Sequence, residues 1–131
     1  MFFKKQRVEE ISYYPIDKVM DGLVYSYGNL VFMAKGGNGY EFYSDRALAS
    51  WGLPVYPLDR MADSLPRKFV GTLGFRDGTL IQNAKDGRIY VISNAKRRLL
   101  TAPLGDYGFD YSQVVEVSDA EIQFHAEGED I

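Results

Sequence analysis

Few side chains in this 131-residue sequence are suited to covalent or acid–base chemistry: one histidine, His125, and a scatter of carboxylates, with no cysteine at all. The missing thiols exclude a cysteine nucleophile, a disulfide framework and every Cys-based zinc or iron–sulfur site. His125 lies in an acidic stretch beside Glu127, with no hydroxyl nucleophile in a recognisable motif, and reads as a surface or packing histidine. Paired carboxylates split glycosidic bonds when they face each other across a cleft. Nothing in the spacing of Asp106 and Asp110, or of Glu127 and Glu129, places them so, and both pairs read as solvated charge. Gly36-Gly37-Asn38-Gly39 lacks the Gly-Lys-Ser/Thr ending of a phosphate loop and reads as a hairpin turn. The acids from Asp106 to Asp110 lack the EF-hand register. The expectation is a protein that is not an enzyme and needs no cofactor.

Binding chemistry is better represented. Lys96-Arg97-Arg98, close to Tyr90, is the one basic cluster suited to an anionic partner, because guanidinium forks grip carboxylates and phosphates. On a strand the three alternate, so Arg97 points away from Lys96 and Arg98. The competing reading is a charged strand edge that blocks unwanted pairing. Tyr25 and Tyr27, two apart, share one face and are candidate contacts, as is the arm containing Phe2, Phe3, Lys4 and Lys5. Exposed Tyr side chains or Trp51 would suit sugar stacking or a protein interface, although core packing accounts for most aromatics. The formal net charge is −3, yet all 15 Lys and Arg lie in residues 1–98, and the remainder holds eight acids and no base. Overall acidity argues against general nucleic-acid affinity. The division allows copies of the chain to attract one another.

The elements that would hold these residues read as two copies of one unit. Asp21-Gly22-Leu23-Val24 recurs as Asp77-Gly78-Thr79-Leu80, Leu30-Val31-Phe32-Met33 as Ile89-Tyr90-Val91-Ile92, and Tyr40-Glu41-Phe42-Tyr43 as Lys96-Arg97-Arg98-Leu99-Leu100. Ser44 and Thr101 then start helices, Trp51-Gly52-Leu53 matches Tyr107-Gly108-Phe109, and Val55 to Asp59 matches Val115 to Asp119. Hairpin turns follow from Gly36-Gly37-Asn38-Gly39, Asp86-Gly87 and Ser93-Asn94. Ser44 caps a short helix that stops at Gly52, and Ser118-Asp119-Ala120-Glu121 has capping-box spacing. The expected cores are Leu30, Phe32, Phe42, Leu48, Trp51 and Leu53 in the first copy. In the second they are Ile89, Val91, Leu99, Leu104, Tyr107, Phe109, Val115 and Val117.

The fold class is therefore mainly β with short helices, as two duplicated strand–hairpin–short-helix units packed as one small domain, since a unit of about 55 residues is marginal alone. The divisions are an N-terminal arm or extra strand over 1–20, a first repeat over 21–76, and a second repeat over 77–131 whose end, Glu127 to Ile131, is a solvated acidic tail. No apolar run reaches the roughly 20 residues of a membrane helix, and Met1-Phe2-Phe3-Lys4-Lys5 is not followed by a signal-peptide apolar region.

From Asp77-Gly78-Thr79-Leu80-Ile81 through Ile89-Tyr90-Val91-Ile92-Ser93-Asn94-Ala95-Lys96-Arg97-Arg98 to Val115-Glu116-Val117-Ser118, the second unit resembles a short tandem β-rich repeat of bacterial surface and tailed-phage proteins. The repeat reads DG-x-L, then vYlv-x-nGkkR, then v-x-vs. Ala95 stands where the pattern favours glycine, and the first copy lacks the basic run. The resemblance brings no catalytic residues. It implies a structural or assembly protein of a phage virion, with other virion proteins or copies of itself as partners. The alternative is a carbohydrate or cell-wall binding module with a glycan partner. The implied location is the virion, or otherwise the cytoplasm or cell surface without a cleaved signal.

Overall fold

The computed structural model describes residues 20–58 and 69–131. The candidate contacts Phe2, Phe3, Lys4 and Lys5 lie outside them. The chain is mainly β and divides into two compact units, each built on a five-stranded sheet.

In the first unit, β1 (Val24–Tyr27), β2 (Leu30–Lys35) and β3 (Asn38–Phe42) are joined in order, with β4 (Val55–Pro57) and β5 (Phe69–Leu73) at the two edges. β1 and β2 are antiparallel, whereas β4 runs parallel to β1 with Val24 opposite Val55. The β2–β3 turn is Gly36-Gly37, both at positive φ (60° and 78°), which gives the two-residue reversal its twist. Tyr25, Phe32, Ala34 and Leu58 form the core, with Tyr27, Tyr56 and Phe69 packed against it.

The second unit repeats this plan. β6 (Leu80–Asn83), β7 (Ile89–Ser93) and β8 (Lys96–Leu99) are antiparallel neighbours, β9 (Val114–Val117) runs parallel to β6, and β10 (Ala126–Glu127) runs parallel to β8. The registers correspond. Val24 faces Met33 and Val55 as Leu80 faces Val91 and Val114, so the offset between units is 56 residues in the first strand, 58 in the second and 59 in the fourth. The repeated Asp-Gly closes the same turn twice, with Gly22 N–H donating to the Ala34 carbonyl and Gly78 N–H to the Ile92 carbonyl, each at 2.7 Å. The cores match position by position: Tyr25 with Ile81, Phe32 with Tyr90, Ala34 with Ile92, Leu58 with Val117.

Two short helices complete the second unit: α1 (Asp45–Ser50) and α2 (Asp119–Phe124). In sequence α1 interrupts the first unit, between β3 and β4, yet residues 43–52 belong to the second unit. Ala47 of α1 is fully buried among Phe75, Ile81, Ile92 and Ile122. The start and stop residues act as their types demand. The Ser44 side chain accepts from Ala47 N–H, Gly52 turns left-handed after the helix, and Ser118 and Glu121 form a reciprocal capping box on α2.

Several expected positions are corrected. In Ile89-Tyr90-Val91-Ile92 both phases of the alternation are apolar, so the pattern does not choose a face; Tyr90 and Ile92 point into the core, and Ile89 and Val91 are only half-buried. Leu30, Leu53 and Val115 are exposed rather than core. Thr101 starts no helix, because Pro103 precedes a single 3-10 turn at Leu104–Tyr107. Nor is the acidic end a free tail. It lays β10 along β8, continues with Gly128 N–H donating to the Arg97 carbonyl and Ile131 N–H to the Leu99 carbonyl, and ends with the Ile131 carbonyl accepting from the Thr101 and Tyr107 hydroxyls.

Candidate functional site

The two side chains best placed by type for acid–base work are both committed to structure. His125 is buried, and its Nε2 accepts the Phe75 N–H at 3.0 Å. That leaves Nδ1 as the protonated nitrogen, donating to the Ala95 carbonyl at 2.8 Å. The ring thereby ties α2's end to two loops. It needs Gly74 beneath it, since a Cβ there would fall 2.4 Å from Nε2. Trp51 covers the same spot, its indole N–H donating to the Gly74 carbonyl at 2.9 Å.

Glu121 is 3% exposed and saturated. Oε2 accepts the Ser44 hydroxyl at 2.6 Å, and Oε1 accepts the Arg46 guanidinium at 2.9 Å and the Ser118 N–H at 2.9 Å. Burial alone would push this carboxyl up, but the Ser44 hydroxyl, then the Ser118 backbone and hydroxyl, and Arg46 together hold it below the usual carboxylate range. One carboxylate therefore closes the capping box of α2 and clamps the N-cap residue of α1. The sequence shows the box; it does not show that the box holds a second helix.

The basic run divides as strand alternation requires. Arg97 turns toward α2, its Nη1 donating to the carbonyls of His125 and Ile122, with the guanidinium 5.9 Å from the centre of the Tyr90 ring. It caps the helix's last carbonyls and is spent there. Lys96 and Arg98 lie on the other side, in an open groove of ≈ 600 Å³ between the Ser93-Asn94 turn and Glu127-Gly128-Glu129. Arg98 lines the groove and is steered by its Nε, which donates to the Glu129 carbonyl at 2.9 Å. Lys96 is exposed, and its ammonium makes no hydrogen bond or ion pair with the other described residues. The floor is tight: a Cβ on Gly128 would lie 3.1 Å from Arg98 Cγ and 3.2 Å from Lys96 Cβ.

Chemically the groove offers a planar guanidinium fork and an ammonium to a carboxylate, with Glu127 and Glu129 at its wall to select a partner of matching opposite charge. The tyrosine pair divides differently. Tyr25 and Tyr27 do share a face, but it is the core face: Tyr25 is fully buried, with its hydroxyl 2.7 Å from the Met20 N–H, and Tyr27 packs against the same cluster. Tyr25 is thereby closed to a partner, whereas Tyr27 is half-buried.

No protein-family model, curated protein or solved structure matches the chain. No helix among the described residues is long and apolar enough to cross a membrane, and none of their His, Asp and Glu side chains gather into a group of three or more that could hold a metal ion. Lys96 and Arg98 are the cations of the groove beside β8.

Proposed function

We propose that the chain is a non-enzymatic structural and assembly protein that works through protein–protein contacts, as a component of a tailed-phage particle in the tail, the baseplate or the capsid surroundings. The reading is carried by one observation: the buried Glu121 and His125 are bonded internally, whereas Lys96, Arg98, Glu127 and Glu129 line one open groove at a sheet edge. Such a surface suits registration against a partner's complementary charges, which fixes orientation and speeds encounter. The tandem-repeat resemblance supplies the phage setting. The partners are other virion proteins or further copies of the chain.

Solution mass by light scattering tests this. Because exposed charges are screened beyond about 10 Å at 0.1 M salt, an assembly heavier than the monomer should form at low ionic strength and dissociate toward it as salt rises. A monomer at every salt concentration that also fails to incorporate into particles reconstituted with the other virion proteins overturns the proposal.

A further inference from the structure

One aromatic ring of the second unit is held rigid and yet left open to solvent. Tyr111 is 58% exposed, but its hydroxyl donates to Gln82 Oε1 at 2.6 Å, and Gln82 Nε2 in turn donates to the Gly87 carbonyl at 3.0 Å. The 3-10 turn carrying it is closed by reciprocal bonds between Asp110 and Gln113, and Ser112 Oγ donates to Asp110 Oδ2 at 2.8 Å. A surface tyrosine gains little by holding one orientation; this one is fixed at both ends and buries little of its ring.

The hydrogen-bond relay ends on Gly87, and Gly87 also lines a pocket of ≈ 330 Å³ whose other walls include Ile89, Leu100, Pro103, Leu104 and Arg88. Ile89 is the register partner of Gln82, so the ring and the pocket share one end of the β6–β7 hairpin. The combination is a pre-oriented aromatic face, an amide with one N–H and one lone pair left over, an apolar recess and a guanidinium.

We infer that this hairpin end binds a glycan. A hexopyranose places its apolar C–H face on Tyr111 and its hydroxyls against Gln82, and the acetamido methyl of an N-acetylated hexosamine enters the apolar recess, with Arg88 donating to the sugar's oxygens. A flat ring with one C–H face and hydroxyls around its rim matches that arrangement in a way an extended peptide does not, because the recess is separate from the edge-strand backbone a peptide would pair with. The inference does not rest on the assembly reading.

The test is an NMR titration of the full chain with the trimer of N-acetylglucosamine, using maltotriose as a control of equal length without acetamido groups. Shifts are expected at the amides of Gln82, Gly87, Ile89 and Tyr111 with the first sugar, and weaker or none with maltotriose. Tyr111→Ala should weaken binding about tenfold, the upper end of what one aromatic face contributes, and Tyr111→Phe about two- to fivefold, because it keeps the face and loses the relay. Unchanged His125 and Trp51 resonances report that both variants are folded. An absence of shifts with the N-acetylglucosamine trimer, or Tyr111→Ala binding as tightly as wild type, overturns the site. Equal binding of maltotriose overturns the role given to the recess.

Discussion

Two residues show how much of the second unit's order depends on single polar contacts. Glu121→Gln removes the charge that Arg46 and the Ser44 and Ser118 donors surround, and should cost about 1–3 kcal/mol, the usual loss when a buried charge-assisted network is broken. Its pH signature has a definite sign. The folded carboxyl binds its proton less readily than the unfolded one, so its contribution is fully present above the unfolded value of about 4.3 and fades as pH falls through that value toward the lower folded one. Urea midpoints measured from pH 7 to 3 should therefore drop more steeply for wild type than for Glu121→Gln; parallel profiles would show that Glu121 does not contribute. Ala95 makes the opposite case. It closes the β7–β8 turn at φ 64°, next to Asn94 at 52°, and its N–H is taken by Asp77 Oδ1 at 3.0 Å. A left-handed non-glycine residue costs about 1–2 kcal/mol, so Ala95→Gly should raise stability by about 1 kcal/mol, read as a higher thermal midpoint.

At the scale of elements, the second unit is incomplete without a helix supplied by the middle of the first. Residues 43–52 give its core Ala47, give Glu121 two of its partners and hold the Arg76 N–H through the Ser50 hydroxyl at 3.0 Å. A fragment of residues 73–131 is expected to lack a cooperative urea transition, and joining residues 43–52 to it through a flexible linker should restore one. Cooperative unfolding of the bare fragment would make α1 an accessory. This division also marks where the sequence stops being informative. Turn glycines, N-caps and the repeated Asp-Gly act locally, through φ and short-range hydrogen bonds, so they are readable from neighbouring residues alone. Choosing a face for Ile89-Tyr90-Val91-Ile92, assigning α1 to a unit, or laying Glu127 to Ile131 along β8 depends on contacts between residues far apart in the chain, and no local pattern encodes them. The groove was half legible: strand alternation separates Arg97 from Lys96 and Arg98, but the wall opposite them comes from a segment whose charge suggested only a solvated tail. Tyr111 gave no signal at all, since nothing near it in sequence points to Gln82.

Over the whole molecule, duplication supplies one backbone twice and lets the copies diverge where the fold does not constrain them. The registers place Asn38, Gly39 and Tyr40 of the first unit at the positions of Lys96, Arg97 and Arg98 in the second, so the basic run is a property of one copy on a shared scaffold. That separates two sources of electrostatic assembly: the groove, and the general division between a basic front and an acidic end. Reversing Lys96 and Arg98 together, as Lys96→Glu with Arg98→Glu, lowers by four the formal net charge of −3. Reversing the exposed Lys35 and Lys85 lowers the net charge by the same four while leaving the groove intact. If the groove sets register, the first pair abolishes the salt-sensitive assembly in light scattering and the second leaves its mass distribution close to wild type, with only a slower onset, because a rim or remote charge acts on encounter rate more than on the formed contact. Equal loss in both variants would assign assembly to the net field of the chain, and equal retention would move the contact surface away from β8 altogether.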